Sequence, residues 1–177
     1  MIKHSLMKKE NFFSNISEIC NINNLDSIYD LAIAPKNYST LLYNTNDLFL
    51  NQKQFEVLLK LCSNSDTIYV AQHDSDEVYE ICLPISYEDY KSLDLYSITY
   101  LSSKEFKWVI VIDEELESGV GVLISNTALI NDFNSVYQDE LKDLFDLISF
   151  YFRDASRNPL SIQNMIKVLS LLHISRM

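Results

Sequence analysis

Hydrophobic and polar positions change their period twice along this chain. In KKENFFSNISEIC (8–20), Phe12, Phe13, Ile16, Ile19 and Cys20 recur at helical spacing, which predicts an amphipathic helix. In NQKQFEVLLKLCSNS (51–65), Asn51 stands where an N-cap belongs, and Phe55, Leu58, Leu59 and Cys62 form the apolar face of a second helix. From 67 to 125 the period shortens to that of strands. TIYVAQHD and EVYEICLP flank the turn-prone Asp74, Ser75 and Asp76 and predict a hairpin. SYEDYKSLD predicts a short helix capped by Ser86, with Glu88 and Asp89 in its first turn, where the helix dipole favours them. YSITYLSS, FKWVIVID and GVGVLIS predict three further strands.

Helical spacing returns after residue 126. TALINDFNSVY places Leu129, Ile130, Phe133 and Val136 on one side, and DELKDLFDLISFYFRDAS does the same with Leu141, Leu144, Phe145, Ile148 and Phe152. Pro159 ends that helix and Ser161 opens another through IQNMIKVLSLLHI. The expected fold is α+β: an antiparallel meander of about five strands, with helices N-terminal and C-terminal to it covering one face. The meander follows from connections read as too short for parallel crossovers of a dozen or more residues. Residues 35–47, PKNYSTLLYNTND, carry the weakest pattern. No repeat or linker divides residues 1–177, so a single globular domain is expected.

Charge narrows the choice of partner. The chain holds 25 acidic against 14 basic residues, a net charge of −11. A field of that sign opposes phosphate backbones and anionic lipid, so neither direct nucleic-acid binding nor membrane association is expected. It favours a basic protein partner, whose encounter it accelerates. Cys20, Cys62 and Cys82 are scattered, odd in number and without a C-x-x-C pair, which suits a reducing cytoplasm and suggests no zinc site. No segment reads as a signal peptide or a membrane span, so a cytoplasmic location is expected.

Few motifs carry chemistry. Gly119 and Gly121 are the only glycines. They lack the third Gly of a dinucleotide fingerprint and the Lys of a phosphate loop, and the residues after them read as a strand. They therefore belong to a hairpin in which Gly119 takes positive φ and Gly121 admits a bulky neighbour. Its loop holds the densest acidic cluster, Asp113, Glu114, Glu115 and Glu117. Such carboxylates suit a divalent cation, a solvated tip or a recognition surface, although the calcium-loop spacing is absent. Asp94 with Glu105 and Lys107 superficially matches the D…E-x-K pattern of metal-dependent nucleases, but Glu105 and Lys107 open a strand instead of lying within it. His4, His73 and His173 are isolated, no G-x-S-x-G is present, and Arg153 and Arg157 suit a helix C-terminus. No catalytic residue, cofactor or metal is expected.

The 100–133 region, which contains YLSSKEFKWVIVIDEELESGVGVLISN (100–126), in a small, acidic, Asn- and Ile-rich α+β chain, resembles the immunity proteins of bacterial contact-dependent inhibition and related polymorphic toxin systems. The resemblance implies a non-enzymatic protein that binds and neutralises a cognate toxin domain, often a nuclease, and a nuclease that grips phosphate is itself basic. Partner-binding candidates are Asp113, Glu114, Glu115 and Glu117, then Asp74, Asp76 and Glu77, with Tyr87 and Tyr90 as aromatic anchors. Tyr96 and Tyr100 lie in the same tyrosine-rich stretch, for which a half-buried sheet face is the competing explanation. Two other functions share these features: a phage or mobile-element protein that inhibits a nucleic-acid-binding host factor by acidic mimicry, and a carboxylate-metal enzyme.

Overall fold

The structure, a computed structural model, describes residues 1–21, 32–33, 38–45, 47–62, 67–114 and 120–126, with positions 130, 131 and 163 beyond them. Among the described residues the elements run β1 (Ile2–His4), α1 (Lys9–Ile16), β2 (Cys20–Asn21), β3 (Ala32–Ile33), β4 (Tyr38–Asn44), α2 (Gln52–Leu61), β5 (Thr67–Gln72), β6 (Val78–Cys82), α3 (Tyr87–Lys91), β7 (Thr99–Ser103), β8 (Trp108–Asp113) and β9 (Val120–Asn126). The expected helices over 127–137, 139–156 and from Ser161 lie outside the described residues, apart from positions 130, 131 and 163, which are helical. No helix among the described residues is long and apolar enough to cross a membrane.

The fold is α+β, built on a seven-stranded antiparallel sheet in the order β1-β6-β5-β7-β8-β9-β4. β2 and β3 form a separate two-stranded ribbon. All five expected strands are present, and four others among the described residues were not expected: β1 and β4 in the sheet, and β2 and β3 of the ribbon. β1 is three residues long, too short for alternation to register. β4 occupies the weak 35–47 stretch, where Asn and Thr blur the pattern, and pairs along its whole length with β9. Its signal lies in that distant partner.

The strand order is broadly compatible with the expected meander but is partly non-sequential. β5 lies between β6 and β7, antiparallel to both, so β6 and β7 run parallel to each other on either side of it. The connection over residues 83–98, which contains α3, is long enough for such a crossing. Helices also cover both faces instead of one. Side chains alternate across a strand, and Ile68, Val70, Leu101, Ile110, Ile112 and Leu123 share one face with Phe55 and Leu58 of α2 and Tyr90 of α3 in a continuous core. The opposite face carries Tyr69, Tyr100 and Val111, and there α1 packs: Phe13 meets Tyr100 edge-on at 5.1 Å, and Phe12 meets Phe106 at 5.8 Å. Strands β5 and β7 are buried at every position.

Local signals set the helix starts as expected. Asn51 Oδ1 accepts from the Gln54 backbone N–H at 2.9 Å, and Gln54 Oε1 accepts from the Asn51 N–H at 2.9 Å, a complete capping box. Ser86 Oγ accepts from the Asp89 N–H at 3.1 Å. Tyr90 joins α3 to α2: its ring stacks on Phe55 at 4.5 Å, and its hydroxyl accepts from the Leu50 N–H at 3.2 Å. Tyr87 donates to the Leu50 carbonyl at 3.0 Å, so both backbone groups of Leu50 are held.

Burial raises the pKa of Tyr90 far above that of a free tyrosine, and the same cause, reinforced by the charges of Cys20, Asp113 and Asp74, raises that of Tyr100. Above pH about 10 the unfolded chain loses these two protons while the folded chain keeps them, so stability falls as pH rises. We expect cooperative alkaline unfolding above pH 10, with tyrosinate absorbance rising together with loss of circular dichroism. Tyrosinate formation by Tyr90 and Tyr100 while the fold stays intact would contradict this account.

Candidate functional site

Antiparallel pairing brings the separate acidic segments to one end of the sheet. β5 and β8 finish there, and β6, β7 and β9 begin there. The 73–77 turn, the 94–98 approach to β7 and the end of β8 therefore meet. Between them lies a cleft of about 480 Å³, lined by His73, Asp74, Tyr96, Ser97, Asp113 and Glu114 among others. Asp74 and Glu114 are exposed and Asp113 is half-buried. Three of the acidic residues singled out from sequence, Asp74, Asp113 and Glu114, thus share one rim, although Asp74 and Glu114 lie 40 residues apart.

The rim is organised by a buried amide. Gln72, the last residue of β5, is 1% exposed. Its Nε2 donates to the Asp94 carbonyl at 2.8 Å, and its Oε1 accepts from the backbone N–H groups of Tyr96 at 2.7 Å and Ser97 at 3.4 Å. With its backbone tied in this way, Tyr96 projects outward and is 59% exposed. Its hydroxyl donates to the Asp74 carbonyl at 3.4 Å, while Ser97 Oγ accepts from the Asp74 N–H at 3.1 Å. Below the rim, the His73 N–H donates to the Ile98 carbonyl at 2.8 Å, and Nδ1 of the ring lies 3.4 Å from the Tyr100 hydroxyl. Lys9 of α1 donates to the His73 carbonyl. The turn is fixed to both layers.

The other candidates fall into three groups. Asp76 and Glu77 are exposed on the same turn, and Glu77 accepts from the Tyr79 hydroxyl at 3.1 Å and lies 3.7 Å from His4 Nδ1. Tyr87 and Tyr90 belong elsewhere: both serve the Leu50 clamp, and Tyr90 is fully buried, so the fold uses them as internal anchors. Glu115, Glu117, Gly119, Arg153, Arg157 and His173 lie outside the described residues. The hairpin is nonetheless formed, since Asp113 pairs with Val120, and Gly121 sits in register between Ile112 and Tyr43.

Exposed Tyr96 takes the aromatic place on the acidic rim that sequence reasoning assigned to Tyr87 and Tyr90. Its position between a short helix and a strand, in LDLYSI, was the available signal, but exposure depends on Gln72. The nuclease-like trio is not assembled: Asp94 precedes β7, whereas Glu105 and Lys107 lie in the turn after it, at the opposite end of that strand. Among the described residues no group of three or more His, Cys, Asp or Glu is placed to hold a metal ion. Cys20 and Cys62 are buried and Cys82 half-buried, and burial pushes the Cys20 thiol up to about 12, far from a reactive thiolate.

No family model matches this chain, and neither a curated protein nor a solved structure shows significant similarity to it.

Replacing Gln72 with Leu leaves the Asp94 carbonyl and the Tyr96 N–H without their partner, at a cost of about 1–3 kcal/mol for each orphaned group. A fall in Tm of several degrees is expected from thermal denaturation. Tyr96→Ala removes exposed ring surface and one long hydroxyl contact to the Asp74 carbonyl, and is expected to lower Tm by no more than about a degree.

Proposed function

We propose that the chain is a non-enzymatic binding protein of the immunity or antitoxin type, and that it neutralises a basic, nuclease-like toxin domain by docking the acidic end of its sheet against it. The observation that supports this most strongly is the convergence of Asp74, Asp113 and Glu114 around exposed Tyr96, with Asp76 and Glu77 exposed on the same turn as Asp74. Their carboxylates present a negative rim in a protein whose net charge is already −11. Such a rim steers a phosphate-binding surface toward itself and occupies the place of the nucleic acid.

The rim is also prepared for binding in a second respect. Gln72 and Ser97 hold the backbone of residues 74 and 96 before any partner arrives, which lowers the ordering cost of association. Charge at the edge sets the rate of encounter, while the ring of Tyr96 supplies rigid contact area that slows dissociation.

Affinity capture from the native cell, followed by mass spectrometry, is expected to recover a basic protein domain with the parent chain. Asp74→Lys combined with Glu114→Lys is expected to slow association at low salt at least tenfold and to flatten its salt dependence. Tyr96→Ala is expected to raise the dissociation rate with little change in association. Recovery of no basic partner, or equal association by the charge-reversed chain, would reject the proposal.

A further inference from the structure

The cleft at the acidic end of the sheet carries three carboxylates, Asp74, Asp113 and Glu114, against one ionisable base, His73, whose Nδ1 lies 3.4 Å from the Tyr100 hydroxyl. Among the described residues no cation lies within ion-pair distance of Asp74 or Glu114. Lys9 reaches this turn but is engaged elsewhere: it donates to the His73 carbonyl and sits over the face of Phe13, 5.6 Å from the ring centroid. The cleft therefore keeps an excess of negative charge that these inner cations do not neutralise.

Two further observations narrow the cation that fits. The carboxylates stand around the cleft instead of converging on a point, since among the described residues no group of three is placed to hold a metal ion. Tyr96 stands with them, and among the described residues it is the only exposed aromatic side chain, on a backbone held by the Gln72 amide. The lining also includes buried Leu48 and half-buried Ile98. A small ion finds no ligand set here. An extended, planar cation meets carboxylates at its edge, an aromatic ring at its face and apolar surface along its stem.

We infer that this cleft takes an arginine side chain of the docking partner, with its guanidinium stacked on Tyr96 and paired with Asp74 or Glu114. The inference rests on the docking of a basic domain at this rim and adds which of its side chains enters. Arginine is favoured over lysine because its guanidinium is planar, is less strongly hydrated than an ammonium and donates to a carboxylate in a two-pronged fork. Its face stacks on an aromatic ring while its edge stays free for the carboxylate, whereas an ammonium brings a compact charge without a face. A domain that grips phosphate carries arginines for the same bidentate chemistry, so the residue that holds nucleic acid is the one this cleft accepts.

NMR titration of the isotope-labelled full chain with N-acetyl-arginine methylamide, and with the lysine counterpart, tests the assignment without the partner. Saturable shifts are expected at the backbone amides of Asp74, Tyr96 and Ser97, with the arginine probe bound at least about twofold more tightly. Tyr96→Ala should erase that preference and weaken the arginine probe about twofold to fivefold, the effect of losing a cation over an exposed ring. Asp74→Asn combined with Glu114→Gln should weaken both probes. No saturable shift, equal affinity for the two probes in the parent chain, or a preference that survives Tyr96→Ala would overturn the inference. Capture of the partner is read separately. A basic domain recovered by a chain that does not distinguish the probes rejects the arginine site and leaves the docking reading standing. A chain that prefers arginine but recovers no basic domain supports the site and rejects that reading.

Discussion

Strands β5, β7 and β8 have no solvent face along almost their whole length, and the other elements are arranged to keep them dry. An isolated antiparallel sheet usually leaves one side to water. Here Tyr69, Tyr100, Val109 and Val111 on one side are as apolar as Val70, Leu101, Ile110 and Ile112 on the other, so each side requires a cover. The pair α2 and α3 supplies one cover, closed by the Phe55–Tyr90 stack. The other comes from α1, whose Phe12 and Phe13 meet Phe106 and Tyr100 edge-on. Each such aromatic contact contributes about 0.5–1.5 kcal/mol beyond the area it buries.

That double burial has a consequence for the polar residues in the sheet. Gln72, Thr99, Ser102 and Ser125 are all buried, and each must find a partner inside the protein. Ser102 donates to the Trp108 carbonyl at 2.7 Å, which helps fix the tight turn between β7 and β8. Phe106 in that turn takes a positive φ of 53°. Strain of this kind persists where the surroundings hold it, and the Phe106 ring is gripped between Tyr69 and Phe12. At the other end of the sheet Gln72 performs the same service for the 94–97 segment. The interior therefore positions both sheet ends.

Both surface clefts follow from this frame. The acidic rim gathers where successive strands of an antiparallel sheet turn, so carboxylates remote in sequence become neighbours without any local motif. A second cleft, lined by residues of α1, β1, β5 and β6, lies on the side covered by α1, because an eight-residue helix is too short to cover the outer strands, β1 and β6, as well as the centre.

Sequence alone determined the elements whose cause is local. Capping by Asn51 and Ser86, the apolar spacing of α1 and α2, and the near-continuous apolar runs of β5 and β8 are properties of neighbouring residues, and each element stands where its pattern placed it, except that α1 ends at Ile16 and Cys20, expected on its apolar face, opens β2. The acidic composition and the acidic hairpin end were equally legible. Tertiary structure alone decided the rest. β4 exists because β9 pairs with it, the crossing of α3 over β5 reflects which strands bury best together, and the fates of Tyr90 and Tyr96 were exchanged by contacts 40 residues and 24 residues away. Pairing and burial are long-range free energies, and a periodicity measured over ten residues does not contain them.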